Sequence, residues 1–328
     1  MKAIVRTKYG PPDVLRIEEA QKPIPGDGEV LIKVHAASVN YADWGFLRGR
    51  PFLVRVWSGL INPKHKILGG DVAGRVEAVG KDAKQLQPGD EVFGDISPSG
   101  WGAFAEYVCA GENTLALKPA NVTFEEAAAV PIAAVTALQG IRDKGQIQPG
   151  QKVLINGSSG GVGTFAVQIA KSFGAEVTAV CSTRNLDLGR SIGADHVIDY
   201  TQEDFTKNGQ HYDLIIAANG YHPISDYRRS LTSKGVYVVT GGSMAQVFQG
   251  MLLGPWISMI GSKRMGNSMT QSNQEDLVFL GELLEAGKVV PVIDRRYPLS
   301  EVAEALRYLG EGHAKGKVVI TLEHDNKT

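Results

Sequence analysis

The sequence predicts an α/β fold: a doubly wound parallel sheet over the later part of the chain, beside a β-rich, barrel-like domain over the earlier part. Three observations carry this. The apolar run Val153-Leu-Ile155 leads straight into a glycine-rich turn and then a helical stretch. From there strands and helices alternate, which implies a parallel sheet covered on both faces. Before residue 118 the chain instead shows short apolar or alternating runs separated by turns such as Pro25-Gly-Asp-Gly28 and Pro88-Gly-Asp90, with no long helical period.

In the early part the expected strands are Lys2–Thr7, Glu29–Ser38, Gly74–Val79, Glu91–Gly94 and Ala105–Cys109. At Thr123 the pattern changes. Thr123-Phe-Glu-Glu126 has the spacing of a capping box, and Thr136–Lys144 reads as a second helical stretch. The later strands are expected at Val153–Asn156, Glu176–Cys181, His196–Asp199, Leu214–Ala217 and Val236–Thr240, with a sixth at Ile257–Gly261. Helices are expected near Thr164–Phe173, Leu186–Ile192, Ser225–Leu231 and Gln274–Glu285. A last helix over Pro298–Leu309 and a strand over Lys317–Leu322 should return to the first domain.

The turn after Val153–Ile155 is where chemistry is expected. Strand, glycine turn and helix within about 30 residues form the opening unit of a dinucleotide-binding fold. Such a turn brings bare backbone close to a pyrophosphate, and the free N–H groups at the helix start hold its charge. Gly160 and Gly163 fill the second and third glycines of the G-x-G-x-x-G pattern, while Ser158 stands at the first.

Composition excludes several classes. A net charge of −1 gives no basic field for nucleic acid or acidic lipid. Two cysteines, Cys109 and Cys181, without metal or redox spacing rule out a disulfide framework and suit a reducing, cytoplasmic setting. The apolar stretch around Ala127–Leu138 carries Pro131 and is too short to span a bilayer.

Lined up in order, the pieces resemble a zinc-free medium-chain dehydrogenase/reductase of the quinone oxidoreductase, or zeta-crystallin-like, group. The matching stretches are Ala37-Ser-Val-Asn-Tyr-Ala-Asp43, Gly69-Gly-Asp-Val-Ala-Gly74, Pro88-Gly-Asp-Glu-Val-Phe93, Gly102-Ala-Phe-Ala-Glu-Tyr-Val108, Val130-Pro-Ile-Ala-Ala-Val-Thr-Ala137, the loop at 157–163, Gly193-Ala-Asp195 with Asp199-Tyr200, and Gly316-Lys-Val-Val319. They cover essentially the whole chain. The resemblance implies a GroES-like catalytic domain over 1–122 and 289–328 and a Rossmann domain over 123–288. In zinc-dependent relatives the metal ligands would fall at Asn40, Gly70 and Ile132. Glycine and isoleucine cannot ligate zinc, and one asparagine would not hold it, so no metal is expected. The seven histidines, at 35, 65, 196, 211, 222, 313 and 324, show no zinc spacing.

The expected cofactor is NADP. A reader of NAD places an acid after the second strand to bond the ribose 2′-hydroxyl. That place falls at Ser182, followed by Thr183 and Arg184, where hydroxyl donors and a guanidinium suit a 2′-phosphate. By resemblance Tyr200 lies near that phosphate or the adenine, and Thr136 orients the nicotinamide. The cofactor-binding set is completed by Ser159, Gly160, Gly161, Val162 and Gly163 of the loop, with Asn219 and Gly241.

Without metal, the protein must supply position and electrostatics. The expected substrates are small quinones or α,β-unsaturated carbonyls, in which the developing negative charge moves to an oxygen. By resemblance the catalytic residues are Asn40, Tyr41 and Asp43: Asn40 and Tyr41 as donors to that oxygen, Tyr41 or solvent as proton source, and Asp43 fixing the loop through backbone hydrogen bonds. An alternative is a cofactor-binding redox sensor or structural crystallin-like protein with little turnover. Two segments stay open. Trp44–His65 reads as a solvated surface loop or as a lid, and Met251–Met269 as a substrate wall or as the sheet-edge contact of a homodimer.

Overall fold

The computed structural model describes residues 1–323, so His324 and the last residues of the expected first domain lie outside it. In the first part of the chain, strands β1 (Lys2–Val5) and β2 (Arg16–Glu19) form a ribbon. The long strand β3 (Glu29–Val39) follows, then helices α1 (Tyr41–Arg48) and α2 (Leu53–Ser58). Next come β4 (Asp71–Val79), β5 (Glu91–Asp95), β6 (Tyr107–Gly111), β7 (Leu115–Leu117) and the short helix α3 (Phe124–Ala128). Thr123 caps α3 as its spacing predicts: Glu126 N–H donates to Thr123 Oγ1 at 3.2 Å, and Thr123 N–H to Glu126 Oε2 at 2.8 Å.

The chain continues with α4 (Pro131–Leu138), a π-helical turn over Gln139–Lys144, and β8 (Lys152–Asn156), α5 (Gly161–Ser172), β9 (Glu176–Cys181), α6 (Leu186–Ser191) and β10 (His196–Asp199). Then come β11 (Tyr212–Ala217), α7 (Ile224–Arg229), β12 (Leu231–Val239), α8 (Met244–Ile260) and β13 (Arg264–Asn267). Finally α9 (Gln274–Glu285), β14 (Ile293–Pro298), α10 (Val302–Gly310) and β15 (Lys317–Thr321) close the sequence.

Two compact units result. Among the described residues one holds 1–132, 272–285 and 293–323; the other holds 133–271 and 286–292. Against the expected division at 122/123 and 288/289, α9 groups with the β-rich unit. The reason is local: Gln274 Nε2 donates to Leu115 O at 2.9 Å, and Gly281 lies against Pro119.

In the β-rich unit the sheet order is β14-β15-β3-β4-β5-β7, with β6 also on β3. One edge of β3 is shared, residues 29–33 pairing with β6 and 36–39 with β15. Two register shifts against β4 mark bulges, which bend a strand and let it serve several partners. The returning tail is thus built into this unit. Helix α10 buries Val302, Ala305, Leu306 and Leu309, one helical face, against a core that includes Val30, Ile32, Val72 and Phe104.

In the other unit all strands are parallel, in the order β10-β9-β8-β11-β12-β13. In chain order this is 3-2-1-4-5-6, the doubly wound arrangement whose direction reverses between β8 and β11. Strand β11 is buried on both faces over Leu214-Ile-Ile-Ala217, as central parallel strands are.

Two expectations fail. Ile257–Gly261 is not a strand: residues through Ile260 belong to α8, and the sixth strand is Arg264–Asn267. Helix α8 is apolar nearly all round, so its sequence lacks the polar stripe that would have marked a helix. Trp44–His65 is a loop only over 49–52 and 59–65. It holds the end of α1 and all of α2, tied down by Tyr9, whose hydroxyl bonds Ser58 Oγ at 2.7 Å and over whose ring Arg55 lies at 4.7 Å.

Candidate functional site

The residues expected to act fall in both units. In the β-rich unit, Asn40 follows the last residue of β3 and is the N-cap of α1. Its backbone N–H donates to Asp43 Oδ2 at 2.8 Å, and Asp43 Oδ1 accepts from Gly69 N–H at 3.0 Å. Asp43, expected to fix the loop through backbone bonds, thereby ties the start of α1 to the segment entering β4.

The Asn40 side chain is clamped. Lys317 Nζ donates to Asn40 Oδ1 at 2.5 Å, and Asn40 Nδ2 donates to Asp71 Oδ2 at 2.9 Å. Asp71 Oδ2 also accepts from Ser38 Oγ at 2.6 Å and Lys317 Nζ at 3.1 Å, and Asp71 Oδ1 from Ile132 N–H at 2.9 Å. Lys317 is 3% exposed and Asp71 0%. The sheet explains this convergence. Ser38 and Asp71 are register partners across β3 and β4, and Val318 pairs with Val39, which brings Lys317 beside Asn40. On the other side Asp95 is the register partner of Asp71, and Ser272 Oγ donates to its carboxylate. Burial, and then the charge of Asp71, pushes the Asp95 carboxyl up.

Sequence reasoning named Asn40 and Asp43 here but missed Ser38, Asp71, Asp95 and Lys317. A signal existed: Asp71 and Lys317 are charges at the head of apolar strand runs, a position where a charge must find a partner. The partners lie 246 residues apart in sequence, so pattern alone does not join them. Tyr41 is placed apart from this cluster. It is 59% exposed, with its hydroxyl 3.9 Å from where a Cβ on Gly312 would stand.

Of the positions implied for metal ligation, Gly70 and Ile132 meet, and Asn40 and Ile132 share the Asp71 carboxylate. A Cβ on Gly70 would lie 2.8 Å from Ile132 Cδ1 and 3.4 Å from both Asp95 Oδ1 and the Trp101 ring. Their side chains are nonetheless a committed amide, a hydrogen and an alkyl group, which do not fit zinc. Among the described residues no group of three or more His, Cys, Asp or Glu is arranged to hold a metal ion. Trp101, buried here, holds φ +68, a strained value of the kind found at functional sites.

In the parallel-sheet unit the loop after β8 lies at the switch point of the sheet, at the carboxyl ends of the strands, where ligands bind in this architecture. Gly157 has φ +84 and a Cβ there would meet Asn219 Cβ at 2.6 Å, so the tight turn falls one residue before Ser158. Ser158 fits because it is buried and its hydroxyl donates to Val180 O at 3.0 Å. A Cβ on Gly163 would stand 2.1 Å from Gly157 O, so α5 packs on the loop only without one. Above Gly160 the nearest atom is 3.9 Å away, leaving bare backbone open to a ligand ahead of the first turn of α5, where Gly161 and Val162 present N–H groups.

Asn185, missed in the sequence, knits the next loop to this one. Its Nδ2 donates to Ser159 Oγ at 3.0 Å and Ser182 Oγ at 3.3 Å. Its buried Oδ1 has no partner among the described residues, an acceptor left for a ligand donor such as a sugar hydroxyl. Ser182 and Arg184 flank Thr183 on this loop, but the Thr183 hydroxyl is committed, donating to Asp199 Oδ2 at 2.6 Å. That corrects its expected role as a phosphate donor. Tyr200, next to Asp199, is 60% exposed. Asn219 is exposed after β11, and Gly241 follows β12 with a built Cβ 2.6 Å from Ala218 O. Thr136 is buried, its hydroxyl 2.7 Å from that of Thr270.

Residues 26–120 match the family described as alcohol dehydrogenase GroES-like domain, and residues 192–320 the one described as zinc-binding dehydrogenase. The chain is 38% identical to 2-methylene-furan-3-one reductase of Solanum lycopersicum, over 98% of this chain and 79% of that protein. It is 36% identical to the NADPH-dependent alkenal/one oxidoreductase, chloroplastic, of Arabidopsis thaliana, with the same coverage. The solved quinone oxidoreductase from Coxiella burnetii superposes with a TM-score of 0.87 at 32% identity, covering 98% of this chain and 99% of that one.

Proposed function

Because the chain belongs to the zinc-independent quinone oxidoreductase group of the medium-chain dehydrogenases/reductases, we propose that it is an NADPH-dependent reductase of small quinones and α,β-unsaturated carbonyls. The observation that carries this reading is the polar centre at the family's metal position: an amide, Asn40, clamped by Lys317 and Asp71. When bound, the reduced nicotinamide supplies a hydride. The loop at 157–163 and the start of α5 would hold its pyrophosphate, and Thr136 would orient its nicotinamide ring.

Asn40 Nδ2 carries two protons, and Asp71 takes one. The other stabilises the oxygen on which negative charge grows, the step at which a fixed donor acts most strongly. Asp43 holds the Asn40 backbone and so the angle of approach. Tyr41, exposed and apart from the clamp, serves at the rim, and water supplies the proton; Tyr41→Phe should change kcat less than twofold on the scale where general acid catalysis gives about 10²-fold.

The preference for NADPH rests on Ser182 standing where an NAD reader has an acid, and on the neighbouring Arg184. Arg184→Ala should raise the Kd for NADPH by about tenfold, the weight of one charge-assisted contact, and leave NADH unchanged. Equal losses would remove Arg184 from phosphate reading. The test of the whole proposal is NADPH oxidation against a panel of quinones, enals and enones; absence of turnover on every member favours the sensor alternative. No helix among the described residues is long and apolar enough to cross a membrane. We place the protein in the cytoplasm on its two unpaired cysteines. We place a homodimer contact at the open edge of β13, beside the exposed Met251, Leu252 and Trp256 of α8; sedimentation gives the assembly.

A further inference from the structure

Lys317 has no place in the expected catalytic set, yet it is the cation at the centre of the Asn40 cluster. A buried ion pair is a poor device for stability alone, since well-packed apolar residues often replace one at no loss. What this pair does uniquely is fix an amide. Lysine has only donors, so Asn40 must turn Oδ1 toward it; a carboxylate only accepts, so Nδ2 must face Asp71. A flipped amide would set donor against donor and acceptor against acceptor. The cation also draws electron density through the amide, which strengthens the remaining Nδ2–H as a donor. Ser38 Oγ and Ile132 N–H hold Asp71 from two further sides, so the clamp is itself clamped.

We propose that Lys317 is a positioning residue of this reductase, which with Asp71 orients and polarises the Asn40 amide so that its free proton faces the oxygen that gains charge. The inference rests on the reading of Asn40 as that donor, and the test separates the two.

The test uses the full chain with NADPH and two probes, a small cyclic enone and 1,4-benzoquinone. Three measurements are compared: Asn40→Ala, the charge-neutral pair Lys317→Met with Asp71→Asn, and all three substitutions together. The pair variant removes one buried charge of each sign and so leaves the buried net charge unchanged, which keeps the fold from being lost by construction, but the amide is free to flip. The expected result is a fall in kcat of on the order of 10²-fold for Asn40→Ala and of about tenfold or more for the pair. KM for NADPH should be unchanged, and Asn40→Ala should add nothing further in the pair background. A folded pair variant with wild-type kcat, or losses that simply multiply, overturns the role of Lys317 and leaves the Asn40 reading standing. Wild-type kcat in Asn40→Ala alone overturns that reading, and the inference with it. Should the pair variant fail to fold, Ser38→Ala deletes one hydroxyl from the clamp and keeps its charges. It should lower kcat about fivefold, one hydrogen bond's worth, and only when Asn40 is present; no change in kcat overturns the proposal.

Discussion

Asp43 shows how one buried carboxyl couples geometry to pH. Burial pushes it up to about 7; the N–H groups of Asn40 and Gly69 and the charge of Lys317 oppose this, and Asp71 adds to it. In the unfolded chain the group returns to about 3.9. Between those values the folded state holds the extra proton, so this group's contribution to stability falls as pH rises from about 4 to about 7. Asp43→Asn should remove that slope, visible as the difference in Tm between variant and wild type across this range. It should also cost about 1–3 kcal/mol, because an amide nitrogen would face one of the two N–H donors. Parallel Tm curves for the two proteins would place the titration elsewhere. The loop glycines were legible in the sequence because strand, turn and helix follow one another within a few residues, and Asn40 and Asp43 because they sit in the stretch Ala37–Asp43 that carries the family resemblance. The Asp71–Lys317 pair was not, because strand register between β3, β4 and β15 brings its members together.

At the scale of elements, the loop between β8 and α5 is tightly specified. Gly163→Ala would drive a methyl to 2.1 Å from Gly157 O, which no rotamer relieves. The expected outcome is a helix start displaced from the loop, a loss of NADPH binding of at least tenfold by fluorescence titration, and a lower Tm. Wild-type affinity in that variant would mean that the loop does not cradle the pyrophosphate. The strand–turn–helix order was readable here because local period and turn chemistry agree. Around α8 they do not. Residues 244–260 contain no charged side chain and include Pro255, so the apolar run fits a strand as well as a helix. Helix α8 packs on β13, with Ser258 Oγ accepting from Met265 N–H at 2.9 Å. That contact follows from tertiary packing, which periodicity does not report.

For the whole molecule, the chemistry turns on how a fold shared with metal-dependent dehydrogenases works with an amide at the metal position. The position of Gly70 has Ile132, Asp95 and Trp101 packed around it, so a ligating side chain there would need the surrounding core rebuilt. Elemental analysis of protein purified with equimolar zinc present should find well under one zinc per chain. The measurement that bears most directly on the central claim is steady-state NADPH turnover on an enone by chelator-treated protein, wild type beside Asn40→Ala. Wild type should keep its full rate after chelation and gain nothing from added zinc, while Asn40→Ala should lose on the order of 10²-fold in kcat at unchanged KM for NADPH. A chelated enzyme that is silent until zinc is restored, or an Asn40→Ala variant as fast as wild type, would contradict it.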